Sequence, residues 1–264
     1  MPCRISVLHY ITNYAFGTKK KLILKYLKEK MRENPNYTDL YYQNTTSHSQ
    51  IIDIIAERAV PLSEVAAPID WEALFGNAHP VEIEIGFGKG RFLLEASKRH
   101  PKVNYIGVER AQKYVELTRE RFEKYMRHFG VDRASGTFSN VRLAWTDANY
   151  FLTRYVAAAS VQAYHIYFPD PWPRKRQQKR RIFRNQDFLE ALTRTLNAEG
   201  GRLYIVTDYA AYFQEIQERL GGLPVLHPID ADLKPDRDIA TNFETKYILE
   251  GRPIYRAVYE KVLS

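Results

Sequence analysis

Cysteine is almost missing from this chain: Cys3 is the only one in 264 residues, so no internal disulfide and no cysteine-based zinc site can form. Histidine is sparse as well, seven residues scattered without ligand spacing, so the profile reads as metal-independent and cytoplasmic. No run of about 18 apolar residues occurs, which excludes a membrane-spanning helix. The opening MPCRISVLHYITNYAFG has one early arginine and no small-residue cleavage site before TKKK, so it does not read as a signal peptide. No Ser/His/Asp or Cys/His nucleophile set stands out either.

What is present is an apolar fraction of 45% with 13% aromatics, enough for a substantial core, and a net charge of +8. That charge is unevenly placed. Residues 1–60 carry nine Lys/Arg against five acids, and seven more Lys/Arg crowd between Arg174 and Arg184. The remainder is nearly balanced, so a polyanionic partner is expected to meet one short segment.

Two regions follow from patterning. Residues 1–60 read as a basic N-terminal extension: KKKLILKYLKEKMREN can form an amphipathic helix, and PNYTDLYYQNTTSHSQ is a polar, Tyr-rich linker. Residues 61–264 read as one α/β domain. VEIEI, VNYIGVE, VRLAW, VQAYHIYF and RLYIV are strands alternating with helical segments, which implies right-handed crossovers and a parallel sheet with helices on both faces. The helix from Ala111 places Val115, Thr118, Phe122, Met126 and Phe129 on one side and stops at Gly130. FETKYILEG and PIYRAVYEKV read as two strands of an antiparallel hairpin at one edge.

In VEIEIGFGKG, Gly86, Gly88 and Gly90 follow a strand and open a helix, where glycine allows a sharp turn and close approach of a ligand to the main chain. Glu84 just before them disfavours a pyrophosphate, and the spaced third glycine of a nicotinamide-dinucleotide site is missing. Glu109 ends the second strand, where an acid can accept from ribose hydroxyls; Asp147 follows the third and Asp170 the fourth. Four acids at four successive strand ends line one crevice in a parallel sheet. They suit a nucleoside carrying a cation and an amino-acid tail, S-adenosyl-L-methionine.

The stretch FPDPWPRKRQQKRRI, from Phe168, places Asp170 ahead of a turn stiffened by Pro171 and Pro173 around Trp172, with a basic run directly behind. Such a run repels itself in solution, and phosphates relieve that repulsion with release of counterions. An acid at the reactive crevice, a rigid aromatic turn and a phosphate clamp together point to methylation of a nucleic-acid base. A methyltransferase acting on an exocyclic amine and a non-catalytic RNA-binding protein on the same fold remain alternatives at this level.

FPDPWPRKRQQKRRI, EIGFGKG, the strand end GVE, TDYAAYF and TNFETKY together resemble, in order and spacing, the bacterial tRNA (guanine-N7-)-methyltransferase family, from Trp71 to the C-terminus. The resemblance implies a Rossmann-like class I methyltransferase domain. Residue by residue, it implies cofactor contacts at Glu84, Glu109, Asp147 and Asp170 and substrate contacts at Arg174, Asp208, Thr241, Asn242, Phe243 and Glu244. It further implies an RNA-binding stretch over Arg176, Lys179, Arg180 and Arg181, and a target guanine at position 46 of the tRNA variable loop. Because guanine becomes cationic as N7 is methylated, Asp170 is expected to be the catalytic residue, stabilising that charge or positioning the base edge, with Asp208 and Glu244 accepting from guanine N1–H and the exocyclic amine. Three departures stand out: Arg174 stands where the family usually has lysine; in the TNFETKY block Asn242 replaces a lysine and Lys246 an arginine; and the family's upstream basic block is not recognisable over residues 40–65.

Overall fold

In the computed structural model, residues 49–53, 58–229, 239 and 241–262 are described; the basic helix and Tyr-rich linker expected before residue 49 lie outside them. Among the described residues, nine strands form one sheet in the order β2-β1-β5-β4-β3-β6-β7-β9-β8. They are β1 (Gln50–Asp53), β2 (Arg58–Pro61), β3 (Val81–Ile85), β4 (Asn104–Glu109), β5 (Val141–Trp145), β6 (Ala163–Tyr167), β7 (Arg202–Thr207), β8 (Leu226–Ile229) and β9 (Tyr255–Lys261). The five central strands, β5-β4-β3-β6-β7, are parallel.

From β3 the chain steps one way through helices α2 (Arg91–Arg99) and α3 (Gln112–Phe129) to β4 and β5. It then returns past β3 by α4 (Ala148–Tyr155) and steps the other way by α5 (Gln186–Thr195) to β7. Right-handed crossovers in opposite directions place these two helix pairs on opposite faces. The short α1 (Trp71–Phe75) precedes β3, and α6 (Ala210–Gly221) follows β7. Fully buried Ile83, Ile106, Leu143, Tyr164 and Leu203 run through the centre of the sheet. In α3, Val115, Thr118, Phe122 and Met126 face inward as their spacing requires, and Gly130 at φ +60° ends the helix. Phe129 departs from that face and is exposed.

Two edges differ from the sequence reading. Residues before 61 supply a hairpin: β1 pairs antiparallel with β5, and Asp53 ion-pairs with Arg142 at 2.9 Å. The division drawn at 60/61 therefore falls inside β2. At the other edge β9 runs antiparallel to β7 and β8, so the antiparallel C-terminal pair is present, but its first strand is Leu226–Ile229. The FETKYILEG segment is instead helix α7 (Asn242–Leu249). Thr241 caps it, its Oγ1 accepting from the Glu244 N–H at 3.0 Å, which leaves no extended strand to pair.

Candidate active site

The strand order reverses between β3 and β6, and ligands of open parallel sheets bind outside the carboxyl ends of strands at such a point. Two loops flank it: Gly86–Gly90 after β3 and Phe168–Pro173 after β6. Gly86 and Gly88 have φ of +75° and +53°, and a Cβ on either would meet nothing within 4 Å, so open space lies before this backbone. Gly90, at φ +62°, is needed for packing: a Cβ there would lie 2.3 Å from Thr118 Cγ2.

Glu84, one residue before the end of β3, is 3% exposed. Its Oε2 is buried without a hydrogen-bond partner, a costly state for a carboxylate unless a cationic ligand completes it. Burial pushes its pKa well above the usual range, and the Glu109 charge adds to the rise. Glu109 draws the loop together: Oε2 accepts from the Gly88 N–H at 3.2 Å and Oε1 from the Ala111 N–H at 2.8 Å. Its pKa is also raised by burial, against the pull of those N–H donors. Asp147 caps α4, accepting from the Tyr150 N–H at 3.2 Å. These three acids lie at or beside the carboxyl ends of three adjacent parallel strands. The orphaned oxygen, the open glycine turn and the acid linking two strand ends together fit a cationic nucleoside.

The aromatic turn is anchored on every side. The Phe168 N–H donates to Val206 O at 2.6 Å, and Phe168 and Trp172 both hold left-handed backbone at φ +51° and +40°. The Phe168 ring packs against Tyr247 and Phe243 of α7, with centroids 5.4 and 6.1 Å apart. Arg180 lies over the Trp172 ring at 5.0 Å. Asp170 is exposed, and its carboxylate has no partner among the described residues.

The basic run divides. Arg174, Lys175, Arg176 and Lys179 are exposed and form no ion pair with a described residue. Arg181, placed by sequence in the RNA-binding stretch, is 3% exposed and turned inward. Its Nε donates to Pro171 O at 2.8 Å, its Nη1 ion-pairs with Glu215 of α6, and its guanidinium lies 4.6 Å from the Tyr212 ring centre. Arg184 joins it on Glu215, donating from Nη2 at 2.8 Å. Arg181 is therefore a clamp on the aromatic turn and cannot reach a phosphate.

The expected substrate residues divide similarly. Asp208 follows β7 and accepts through Oδ2 from Arg252 at 3.2 Å. Phe243 is exposed on α7, whereas Thr241 is the buried cap. Glu244 corrects the expectation of a base-reading acid: it is buried, and Arg256 of β9 pairs with its Oε1. Burial without compensation would be costly, so that arginine ties α7 to the sheet instead.

Sequence reasoning missed a polar layer beneath the turn. His165 is buried between Glu82 Oε2 and the Tyr167 hydroxyl, each 2.8 Å from a ring nitrogen, and stacks on Tyr204 at 5.1 Å. The alternation of VEIEI, with Glu82 and Glu84 on one face, was its only signal. Arg91 and Arg121, which hold α7 from α2 and α3, had none.

A family model described as "Putative methyltransferase" matches residues 78–257. The tRNA (guanine-N(7)-)-methyltransferase of Rhodopirellula baltica is 34% identical over 209 residues, 75% of this chain and 72% of that protein. The enzyme of the same name from Geobacter metallireducens is 31% identical over 219 residues, 80% of this chain and 96% of that one. Among solved structures, the 16S rRNA methyltransferase KamB superposes with a TM-score of 0.51 at 11% identity, over 80% of this chain and 99% of that chain. That last likeness is one of fold, and the class I methyltransferase architecture that the family resemblance implied is the one found.

Proposed function

The chain belongs to the tRNA (guanine-N7-)-methyltransferase family, and from that premise we propose that it methylates N7 of the guanine at position 46 in the variable loop of cytoplasmic tRNA. The single observation that carries the site assignment is Glu84: a buried carboxylate with an unpartnered oxygen, beside an open glycine turn at the switch point of the sheet. The exocyclic-amine and binding-only readings lose their ground to the family match.

S-adenosyl-L-methionine, when bound, supplies an electrophilic methyl group and leaves as the neutral thioether. Glu84 would receive its cationic tail, Glu109 its ribose hydroxyls and Asp147 its adenine side. Guanine N7 already carries an in-plane lone pair, so no general base is required and the main task of the protein is approximation. The base becomes cationic as the methyl arrives, and the open carboxylate of Asp170 is placed to stabilise that charge. Asp208 keeps one oxygen on Arg252 and offers the other to the N1–H and amine edge of guanine. Arg174, Arg176, Lys179 and Arg180 supply phosphate contacts that position the RNA without reading its sequence.

Incubation with unmodified tRNA transcript and methyl-labelled cofactor, followed by nucleoside digestion and mass spectrometry, tests the reaction. 7-Methylguanosine that disappears when the variable-loop guanine is replaced is the expected result. Another methylated nucleoside would overturn the target assignment.

Glu84 gives a second check. Its pKa is raised by burial in the cofactor-free protein, so cofactor binding drives ionisation and releases protons, and affinity falls as pH is lowered through the free-protein pKa. Calorimetric titration in two buffers of different ionisation enthalpy counts those protons. Glu84→Gln is expected to weaken cofactor binding by about 10- to 100-fold, the value of one charge-assisted hydrogen bond. It should also abolish the buffer dependence. Because the native state holds this proton more tightly than the unfolded chain, empty wild-type protein should lose stability as pH rises from the usual carboxyl range through the raised value.

A further inference from the structure

Helix α7 is held from one side by two arginines. Arg91 Nη1 donates to Thr245 Oγ1 at 2.8 Å, and Arg121 Nη2 donates to Asn242 Oδ1 at 3.4 Å. Asn242 and Thr245 are three residues apart, so both arginines meet the same face of α7. They come from adjoining places. Arg91 opens α2 directly after Gly90, and Arg121 lies one turn beyond Thr118, whose methyl fills the space at Gly90 and whose hydroxyl donates to Gly88 O at 3.0 Å.

Neither arginine forms an ion pair with a described carboxylate, and each spends one donor on a neutral oxygen. A guanidinium has five N–H donors in a rigid fork suited to carboxylate and phosphate. Attaching a helix to its neighbours needs only neutral donors; two cations at one spot add repulsion. Burial lowers the Arg121 pKa, and the Arg91 charge lowers it further. Glu95 offsets this in part, but its carboxylate is held by Lys98 at 3.2 Å. Around the helix from that face, α7 carries exposed Phe243, with Tyr247 and Phe168 packed against it, an aromatic surface of the kind that receives an unstacked base.

We propose that Arg91 and Arg121 form a second phosphate-binding site, separate from the basic run, which grips the RNA backbone next to the base presented to α7. The proposal rests on the tRNA reading and specifies the surface by which tRNA is held. The rival oxyanion is the carboxylate of the cofactor, since Arg91 adjoins the glycine turn.

The test measures binding of unmodified tRNA transcript by fluorescence anisotropy over a KCl series, and cofactor affinity by calorimetry, for wild type, Arg91→Gln, Arg121→Gln, Arg121→Lys and Thr245→Val. Each Gln variant removes one phosphate-binding cation, so it should flatten the plot of log K against log salt by roughly 0.7–0.9, with cofactor affinity unchanged. Arg121→Lys, which keeps the charge, should retain the wild-type slope. So should Thr245→Val, which removes only the neutral acceptor; a flattened slope there would make the arginines mere supports of α7 and overturn the proposal. Wild-type slopes in Gln variants that melt normally would overturn it, as would a loss confined to cofactor affinity. If the Gln variants fail to fold, Arg121→Met, which keeps the apolar stem and removes the charge, takes their place: a flattened slope is expected and a wild-type slope would overturn the proposal. Wild-type protein that neither binds nor methylates tRNA would overturn the functional reading and this inference together. Wild-type activity with unaltered variant slopes would overturn this inference alone.

Discussion

Asp170→Ala is expected to lower the rate of N7 methylation by about 10²–10³-fold, the usual consequence of removing one group that stabilises charge developing in a transition state. The fold should survive, because Asp170 is exposed and supports no described neighbour. Asp170→Asn separates two accounts of the loss. If the carboxylate works through its charge on the forming methylguanine cation, Asn should be nearly as slow as Ala. If it works by orienting the base through a hydrogen bond, Asn should recover much of the rate. Single-turnover kinetics with saturating cofactor and tRNA makes the measurement, and a wild-type rate in the Ala variant would remove Asp170 from the mechanism.

Arg181→Ala is the second large effect, and it contradicts what the basic run suggests on paper. On that reading the substitution would weaken RNA binding and do little damage to the fold. The structure instead has Arg181 joining Pro171 O to Glu215, stacked on Tyr212, with its guanidinium out of water. Breaking a buried pair costs about 3–5 kcal/mol. The lower end applies here, since Arg184 and Arg219 remain on Glu215. At roughly 2–4 °C per kcal/mol for a domain of this size, melting should drop by about 6–12 °C. The turnover number should fall as well, by about 10²-fold if the Asp170 turn shifts by about 1 Å, while cofactor affinity holds. Arg181→Lys should rescue only part, because a point donor cannot serve Pro171 O and Glu215 as a planar fork does. An unchanged melting temperature with a flattened salt dependence of tRNA binding would return Arg181 to the RNA surface.

The same clamp has a pH signature. Hydrogen bonding from Arg184 lowers the Glu215 pKa, and Arg181 adds to this against the opposing effect of burial. An acid whose folded-state pKa is depressed contributes stability above its unfolded value and loses it as pH falls through the folded value. Wild-type protein should therefore lose stability below about pH 4.5 more steeply than Glu215→Gln, as followed by acid titration of circular dichroism.

Local chemistry was legible residue by residue. The strand–glycine turn–helix of VEIEIGFGKG, the acids at the strand ends and the stiff DPWP turn all express preferences that act over a few residues, through allowed dihedrals and the two-residue period of a strand. Ordered blocks such as TDYAAYF and TNFETKY also carried the family resemblance. One local signal was present and misread. Thr241-Asn-Phe-Glu244 has the Thr-x-x-Glu form of a helix start, and the aromatic and branched residues behind it resembled a strand.

The sequence by itself thus determined the fold class, the cofactor and the family, because strand order and loop chemistry follow from short-range pattern together with the handedness of crossovers. Tertiary structure alone decided which charges face water. Arg181 and Arg176 are indistinguishable in a string, yet one meets Glu215 across 34 residues and the other is exposed. Arg91 finds Thr245 across 154 residues, and His165 finds Glu82 across 83. Such pairings arise when packed layers bring distant side chains into a region where an unpaired charge is expensive, and no periodicity along the chain records them.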